Sequence, residues 1–353
     1  MTLDADYRWP AEWEEHRCTW CAWPVNRATW PGLFERIPGA FARFVANVAR
    51  FEPVRILLSG EAQRESAYRL VDEECGQAGS RYDVSFVDVP VNDSWCRDYG
   101  PIFLAARSSD QGAVVDWDYN SWGGKYPPWD SDAAVARQIA ELLELPRFAP
   151  GLVLEGGAIE GDGRGTVLTT EACLLNPNRN GPCTRQMMED TLRDWMNASR
   201  VIWLPGSGIL GDDTDGHVDQ VARFIDAQTV VVAAPWTDGA PEADDLRANR
   251  DALAKARTAH GSTMETHELR LPEPKFQQDH RLPASYCNFI FVNGGVIVPT
   301  FRDKADAAAL ELLQRLLPDH EVVGVDALEL VWGLGAFHCL TQQQPLAAVT
   351  GQP

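Results

Sequence analysis

Five places in the chain carry residues able to do chemistry where small and polar side chains interrupt apolar runs. At Asn92-Asp93-Ser94-Trp95-Cys96-Arg97-Asp98, a charged pair stands just before Gly100-Pro101. A sharp bend there offers either a structural ion pair or, beside Trp95, a carboxylate that receives a cation. At Leu152-Val153-Leu154-Glu155-Gly156-Gly157, Glu155 closes an apolar run expected to be a strand, and two glycines let a ligand or another backbone come close. Residues 211–219 hold four Asp and one His. His217 and Asp219 have strand spacing, which predicts that they face one side. They suit a divalent cation, or equally a general acid/base with an anionic anchor. Residues 286–295, Tyr-Cys-Asn-Phe-Ile-Phe-Val-Asn-Gly-Gly, read mainly as a buried hairpin. Finally, Cys339 follows the glycine-containing Gly333-Leu334-Gly335-Ala336, whose tight path suits an exposed nucleophile, with a distant His to serve it.

Taken together, one thiol, one imidazole and the carboxylates of Asp98, Glu155 and Asp219 make a poor site for an anionic or neutral acyl substrate. The carboxylates would raise the thiol pKa above its free value of about 8.5. A planar delocalised cation resolves the conflict. A guanidinium pairs with carboxylates bidentately, and its charge helps draw the thiol to thiolate beside its electrophilic carbon.

The elements that must position these residues are legible in outline. Ile37, Phe41, Phe44, Val45 and Val48 share one helical face, residues 133–145 repeat the pattern, and Thr184 stands as a cap before Met188, Leu192 and Trp195. Further helices are predicted near 62–73, 241–259 and 304–317. Short β-branched runs lie between them, at 54–58, 84–89, 114–117, 201–204, 221–225, 230–233, 289–292 and 296–299. The rhythm is helix, strand, strand. That disfavours a plain doubly wound sheet and suggests ββα-type units packed around a centre. Residues 237–245 read as a surface loop.

With 353 residues, the chain holds two domains or one large α/β domain. Its net charge of −20 argues against a nucleic-acid or anionic-membrane surface; most of that charge serves solubility. No run approaches a membrane span, and Met1-Thr2-Leu3-Asp4-Ala5-Asp6 is too acidic for a signal peptide. The eight scattered Cys fit reduced thiols in a cytoplasm, and Cys18-Thr19-Trp20-Cys21 lacks the context of a redox motif. Nine of the 13 Trp fall within or near the motif segments, where some can wall a cation site.

The sequence resembles the agmatine deiminases, within the family that also holds bacterial peptidylarginine deiminases. The likeness runs from Pro10-Ala11-Glu12-Trp13-Glu14-Glu15-His16 through Asn92–Asp98, Asp116–Gly124, Leu154–Gly157, Leu175-Asn176-Pro177-Asn178-Arg179-Asn180 and Thr214–Asp219 to His338-Cys339-Leu340-Thr341-Gln342-Gln343-Gln344-Pro345. It implies a single catalytic domain over 1–353 with the pentein fold, a five-bladed pseudo-symmetric α/β propeller around a central site. It implies Cys339 as nucleophile, His217 as general acid/base, Asp98 and Asp219 gripping the guanidinium, Glu155 close to the His, and Trp95 and Trp122 lining the substrate channel. The implied reaction needs no metal or organic cofactor and converts agmatine and water to N-carbamoylputrescine and ammonia, on a route to putrescine. The implied partner is a small cationic guanidino substrate, and the family often self-associates. Gly333-Leu334-Gly335-Ala336 departs from the family's usual run of three glycines, and Tyr99 stands where small residues are common.

Other readings stay open at this level. Free arginine, peptidyl-arginine or another guanidino-alkane could replace agmatine. The His217/Asp219 cluster could serve a metal-dependent hydrolase. A non-catalytic guanidinium-binding protein would keep the pocket without turnover.

Overall fold

The computed structural model describes Leu3, residues 6–108 and residues 112–346. Met1, Thr2, Asp4 and Ala5, four of the six residues read as too acidic for a leader, lie outside it. Among the described residues, no helix is long and apolar enough to cross a membrane.

The architecture is α/β, and one unit recurs. Short apolar strands cannot pair in parallel without a long return, so each parallel partner comes back through a helix. Ala222–Phe224 and Thr229–Ala234 form an antiparallel pair; the helix Ala243–Lys255 then returns the chain to Glu265–Arg270, parallel to the second strand. The same order holds for Ile159–Gly161, Thr166–Thr170, helix Arg185–Met196 and Arg200–Leu204. It holds for Ile290–Val292, Gly295–Thr300, helix Asp306–Leu316 and Glu321–Asp326. It holds again for Ile102–Ala106, Ala113–Val115, helix Val135–Leu142 and Arg147–Phe148. The last sheet joins the two ends of the described chain. Thr341–Pro345 pairs antiparallel with His16–Ala22, and helix Ile37–Val48 leads to Val54–Leu57, parallel to it.

The helical faces read from the sequence are the buried ones. Ile37, Phe41, Phe44, Val45 and Val48 are all in the core, and the Thr184 hydroxyl accepts the Met187 N–H at 3.2 Å. Several boundaries differ. The pattern at 133–145 begins as a 3₁₀ turn at Asp132–Ala134, and its helix ends at Leu142. The segment before Glu155 is not a strand: Val153 makes one isolated bridge to Asp118, and Glu155 caps the 3₁₀ turn Gly156–Ala158. His217 and Asp219 do not sit in a strand either. His217 precedes the 3₁₀ turn Val218–Gln220 that contains Asp219. The surface loop at 237–245 gives way to helix at Ala243. All eight cysteines are unpaired, and Cys18 and Cys21 are buried in a strand.

In each of these five units the antiparallel pair is preceded by a short turn. These are Cys96–Tyr99, Gly156–Ala158, Val218–Gln220, Tyr286–Asn288 and the segment that ends at Cys339 and Leu340. The turns meet one another. Arg97 N–H donates to Cys339 O at 3.1 Å, Gly157 N–H to the Asp98 carboxylate at 3.0 Å, Ser285 Oγ to Gln220 O at 2.7 Å, and His338 N–H to Asn288 O at 3.1 Å. The last turn is fixed from behind by Phe337, which is fully buried and stacks on Phe44 with ring centroids 4.3 Å apart. Phe337→Ala leaves a cavity under that turn and is expected to cost about 3–5 kcal/mol, read by urea unfolding; a loss below about 1 kcal/mol would show that the turn does not depend on this stack.

Candidate active site

A cavity of about 250 Å³ opens onto Cys339. Asp98, Trp95, Trp122, Trp332, Leu334 and Cys339 are among its lining residues. His217, Asp219 and Glu155 lie behind that lining, in the interior. All seven residues singled out in the sequence therefore come together here. Of the nine Trp near motifs, Trp95 and Trp122 line the cavity. Trp20 and Trp30 are core, their indole N–H groups bonded to Gln344 Oε1 and Leu330 O.

Each carboxylate is held by donors from neighbouring segments. Asp98 accepts from Gly157 N–H and Trp122 Nε1, each at 3.0 Å. Trp122 reaches it from a left-handed backbone (φ 54°) after Asn120, whose side chain caps the turn. Burial pushes the Asp98 pKa up to about 6, against the pull of His217. Asp219 Oδ2 accepts from His338 Nδ1 at 2.8 Å and lies 3.5 Å from the Cys339 sulfur. Burial raises its pKa too, but the bond to His338 and the charges of His338, His217 and Arg223 outweigh it and hold it below the ordinary value. Glu155 is clamped by Arg179 Nε at 2.6 Å. Arg179 is held in turn by Asp215 and Thr214 O.

His217 faces Asp98 at 3.6 Å through Nδ1 and Glu155 at 4.0 Å through Nε2. Burial opposes its charged form, but Asp98, the Cys173 thiol and Glu155 win and hold its pKa well above 6.5. Cys339 is the reverse. Burial, Asp219 and Asp98 drive its pKa well up, so the resting group is a thiol. Among the described residues, Asp219 Oδ1 and Gln220 Oε1 are buried without a hydrogen-bond partner. Buried orphan acceptors cost about 1–3 kcal/mol each. A cation bearing several N–H donors would satisfy them.

The convergence has a backbone cause. A Cβ at Gly157 would stand 2.6 Å from His217 Nδ1, 2.8 Å from Asp98 Oδ1 and 3.1 Å from Asp219 Oδ2. Glycine therefore leaves the space between three functional groups. Gly333 and Gly335 do the same under Trp95, where a Cβ would meet the indole at 2.8 and 2.4 Å. Leu334 between them keeps the left-handed backbone (φ 73°) and turns its side chain to the cavity. Ala336 is buried, and Tyr99 points away from the sulfur, its hydroxyl donating to Asp93 O.

Sequence reasoning missed a layer beneath the site. Arg97 does not pair with Asp98; it donates to Gln343 Oε1 and His338 O and lies 3.8 Å from Glu12. Glu12 also binds Arg223 at 2.6 Å and His338 Nε2 at 2.9 Å, and Arg223 faces Glu160 at 3.0 Å. Asn288 and Gln220 reach the Cys339 sulfur itself. The only signal for this layer was polar residues placed next to apolar strands. The metal reading of the His217/Asp219 pair loses its support. Among the described residues, the side-chain groups close enough to share an ion are Glu155–Cys173–His217 and Glu12–Glu160–His338, neither includes Asp219, and the carboxylates of both are already paired with arginine.

The chain matches the family described as Porphyromonas-type peptidyl-arginine deiminase over residues 8–345. It is 39% identical to the agmatine deiminase of Pseudomonas aeruginosa, over 96% of this chain and 95% of that one. Among solved structures, it is similar to the agmatine deiminase of Enterococcus faecalis, with a TM-score of 0.89, 33% identity and 97% of each chain covered. It is also similar to a C. jejuni agmatine deiminase with substrate bound, with a TM-score of 0.86, 29% identity and 96% of each chain covered.

Gly157→Ala tests the convergence directly. The methyl must displace His217 or Asp98, so turnover of a guanidinium substrate is expected to fall about 100-fold with little change in thermal melting. Wild-type turnover would mean that these groups do not act from their observed positions.

Proposed function

Because the chain belongs to the Porphyromonas-type peptidyl-arginine deiminase family, we propose that it hydrolyses agmatine to N-carbamoylputrescine and ammonia through a covalent thiouronium on Cys339. One observation carries the choice of substrate. Among the described residues, the cavity wall bears Asp93, Asp98 and Asp213 and no Arg or Lys. Free arginine needs a cation for its α-carboxylate, and Arg97 is buried and committed elsewhere. An amine tail suits the acidic wall, and the similar proteins of Pseudomonas aeruginosa and Enterococcus faecalis are agmatine deiminases.

The reaction follows from the positions. Asp98 and Asp219 take the guanidinium nitrogens and hold the central carbon against the sulfur. The bound cation offsets the carboxylates, and the thiol gives up its proton to water. The thiolate forms a C–S bond while a C=N electron pair moves onto nitrogen. His217 enters as imidazolium and gives its proton to one nitrogen; the C–N bond breaks, ammonia leaves, and a thiouronium remains. The now neutral His217 takes a proton from water as the oxygen attacks the same carbon. The C–S bond then breaks, its electron pair returns to sulfur, and the hydroxyl proton passes to solvent as the ureido group forms. Covalent catalysis thus divides one difficult step into two.

The same reading takes residues 1–353 as one catalytic domain, with the repeated units forming the five blades of a pentein propeller around the site. It places the enzyme in the cytoplasm and includes self-association, which light scattering would read.

A panel of agmatine, arginine, an arginyl peptide and shorter and longer guanidino-alkanes tests the substrate. Agmatine is expected to have the highest kcat/KM, and Cys339→Ser to lose at least about 10³-fold in ureido product. A chelator-sensitive, active Cys339→Ala variant would instead restore the metal mechanism.

The pH dependence of binding has a fixed sign. Asp98 grips only as a carboxylate and takes up a proton near pH 6. In Cys339→Ser, which removes the thiol's own titration, agmatine is expected to bind about tenfold more weakly per pH unit as pH falls below that point. Calorimetry would read it, and affinity flat between about pH 5 and 8 would remove Asp98 from the grip.

A further inference from the structure

The cavity wall can select a tail by charge and by shape, and the two come from different residues. Asp93 and Asp213 supply the charge. The Asp93 carboxylate is held only by neutral donors, Asn26 Nδ2 at 3.0 Å, Ser94 N–H at 2.8 Å and the Thr29 hydroxyl. Such a wall turns away a carboxylate. It does nothing against a neutral branch such as a carboxamide, so shape decides whether a branched tail enters.

Leu334 stands where that decision is made. Of Gly333-Leu334-Gly335, only the middle residue has room for a side chain, because a Cβ on Gly333 or Gly335 would stand 2.8 or 2.4 Å from the Trp95 indole. Gly335 also fixes the depth, since its Cβ would stand 3.0 Å from the Cys339 Cβ. The backbone of Leu334 therefore runs beside the nucleophile. Within the cavity lining, Trp95, Asp98 and Cys339 are buried, whereas Pro31, Tyr126 and His280 are exposed. Leu334 is half-buried. Its side chain flanks the stretch between the sulfur and the rim, which a tail must cross.

The backbone carries a strain at this residue. Leu334 has φ 73° and caps the turn Leu330–Gly333, with its N–H donating to Val331 O at 2.9 Å. Glycine enters that left-handed region freely, and a residue with a Cβ enters it against a steric penalty. Such strain persists where the surroundings over-determine it, and it clusters at ligand clamps. Here it sets an isobutyl group in the wall. An unbranched run of methylenes can lie against that group, and a branch meets it as a clash.

We propose that Leu334 is a specificity-determining residue that admits an unbranched guanidino-alkane amine and excludes one branched at the carbon bearing the amine. This rests on the deiminase reading for its reaction, though the shape of the wall does not.

Agmatine and arginine amide separate shape from charge, because they differ by one neutral carboxamide on the amine-bearing carbon. Ureido product is followed for both in wild type, Leu334→Gly and Leu334→Ala. In Leu334→Gly, kcat/KM is expected to rise at least about tenfold for arginine amide as the clash is removed, and to fall about threefold for agmatine as its methylenes lose an apolar contact. The ratio of the two thus moves at least about thirtyfold, and at least about tenfold in Leu334→Ala. A damaged loop would lower both rates together. That result, or a ratio within about threefold of wild type in a variant that melts cooperatively, would overturn the proposal. If Leu334→Gly does not fold, Leu334→Ala decides. Calorimetry with the same two compounds, on Cys339→Ser with and without Leu334→Gly, reads the selection without turnover. Affinities that swing toward arginine amide in a chain that deiminates neither compound would uphold Leu334 and refute the substrate reading. Agmatine turnover with an unmoved ratio would do the reverse.

Discussion

A guanidinium is held by carboxylates, and carboxylates beside a thiol oppose the thiolate that must attack it. The rest of this interior follows from that conflict. Asp98 and Asp219 close on the space left by Gly157, and both work against ionisation of Cys339. A permanent cation next to the sulfur would relieve the thiol and exclude the substrate. The structure instead keeps its cations one layer away. Arg179 pairs with Glu155, and the charge of Arg223 bears on Asp219. Neither arginine is among the residues that line the cavity. The His338 ring joins two of the carboxylates, with Nδ1 2.8 Å from Asp219 and Nε2 2.9 Å from Glu12.

Burying so many charges is costly unless each is paired, and pairing requires partners far apart in sequence. The repeated unit supplies them. A short turn before each antiparallel pair is the one place where every unit can turn a side chain toward its neighbours. The sheet that joins His16–Ala22 to Thr341–Pro345 brings the first such segment beside the last. Glu12, from the N-terminal end, can then meet both Arg223 and His338. Cys339 is positioned by the same closure, because Arg97 N–H binds its carbonyl from the neighbouring unit.

How much of this could be read in advance depended on how local the cause was. Helices such as Ile37–Val48 follow from the spacing of their own apolar residues. The pair Ile290–Val292 and Gly295–Thr300 follows from an Asn-Gly turn between β-branched runs. Cys339, His217, Asp98, Asp219 and Glu155 stood out because reactive groups interrupted such runs. The polar strands did not. Thr341–Pro345 is largely glutamine, yet Gln344 is buried because its Oε1 takes the Trp20 indole N–H and the Cys18 thiol. Thr166–Thr170 was hidden in the same way, with Thr169 and Thr170 hydroxyls spent on Ala158 O and Gly216 O. Charges at Glu12, Glu160 and Arg223 look like surface residues until their partners are known. Asn288 was hidden differently: its segment was correctly a buried hairpin, and only its place just before the first strand, shared with the other site residues, marked it.

The departures near the nucleophile can be judged on the same ground. The glycines that matter sterically are Gly333 and Gly335, because their missing Cβ atoms admit the Trp95 ring, and both are kept. At Leu334 a left-handed backbone is retained at the conformational expense of a branched side chain. That side chain is part of the cavity wall, with Trp332 and Cys339. Its bulk therefore bears on the length and shape of what enters, whereas Asp98 and Asp219 meet His217 around Gly157, on other turns of the chain.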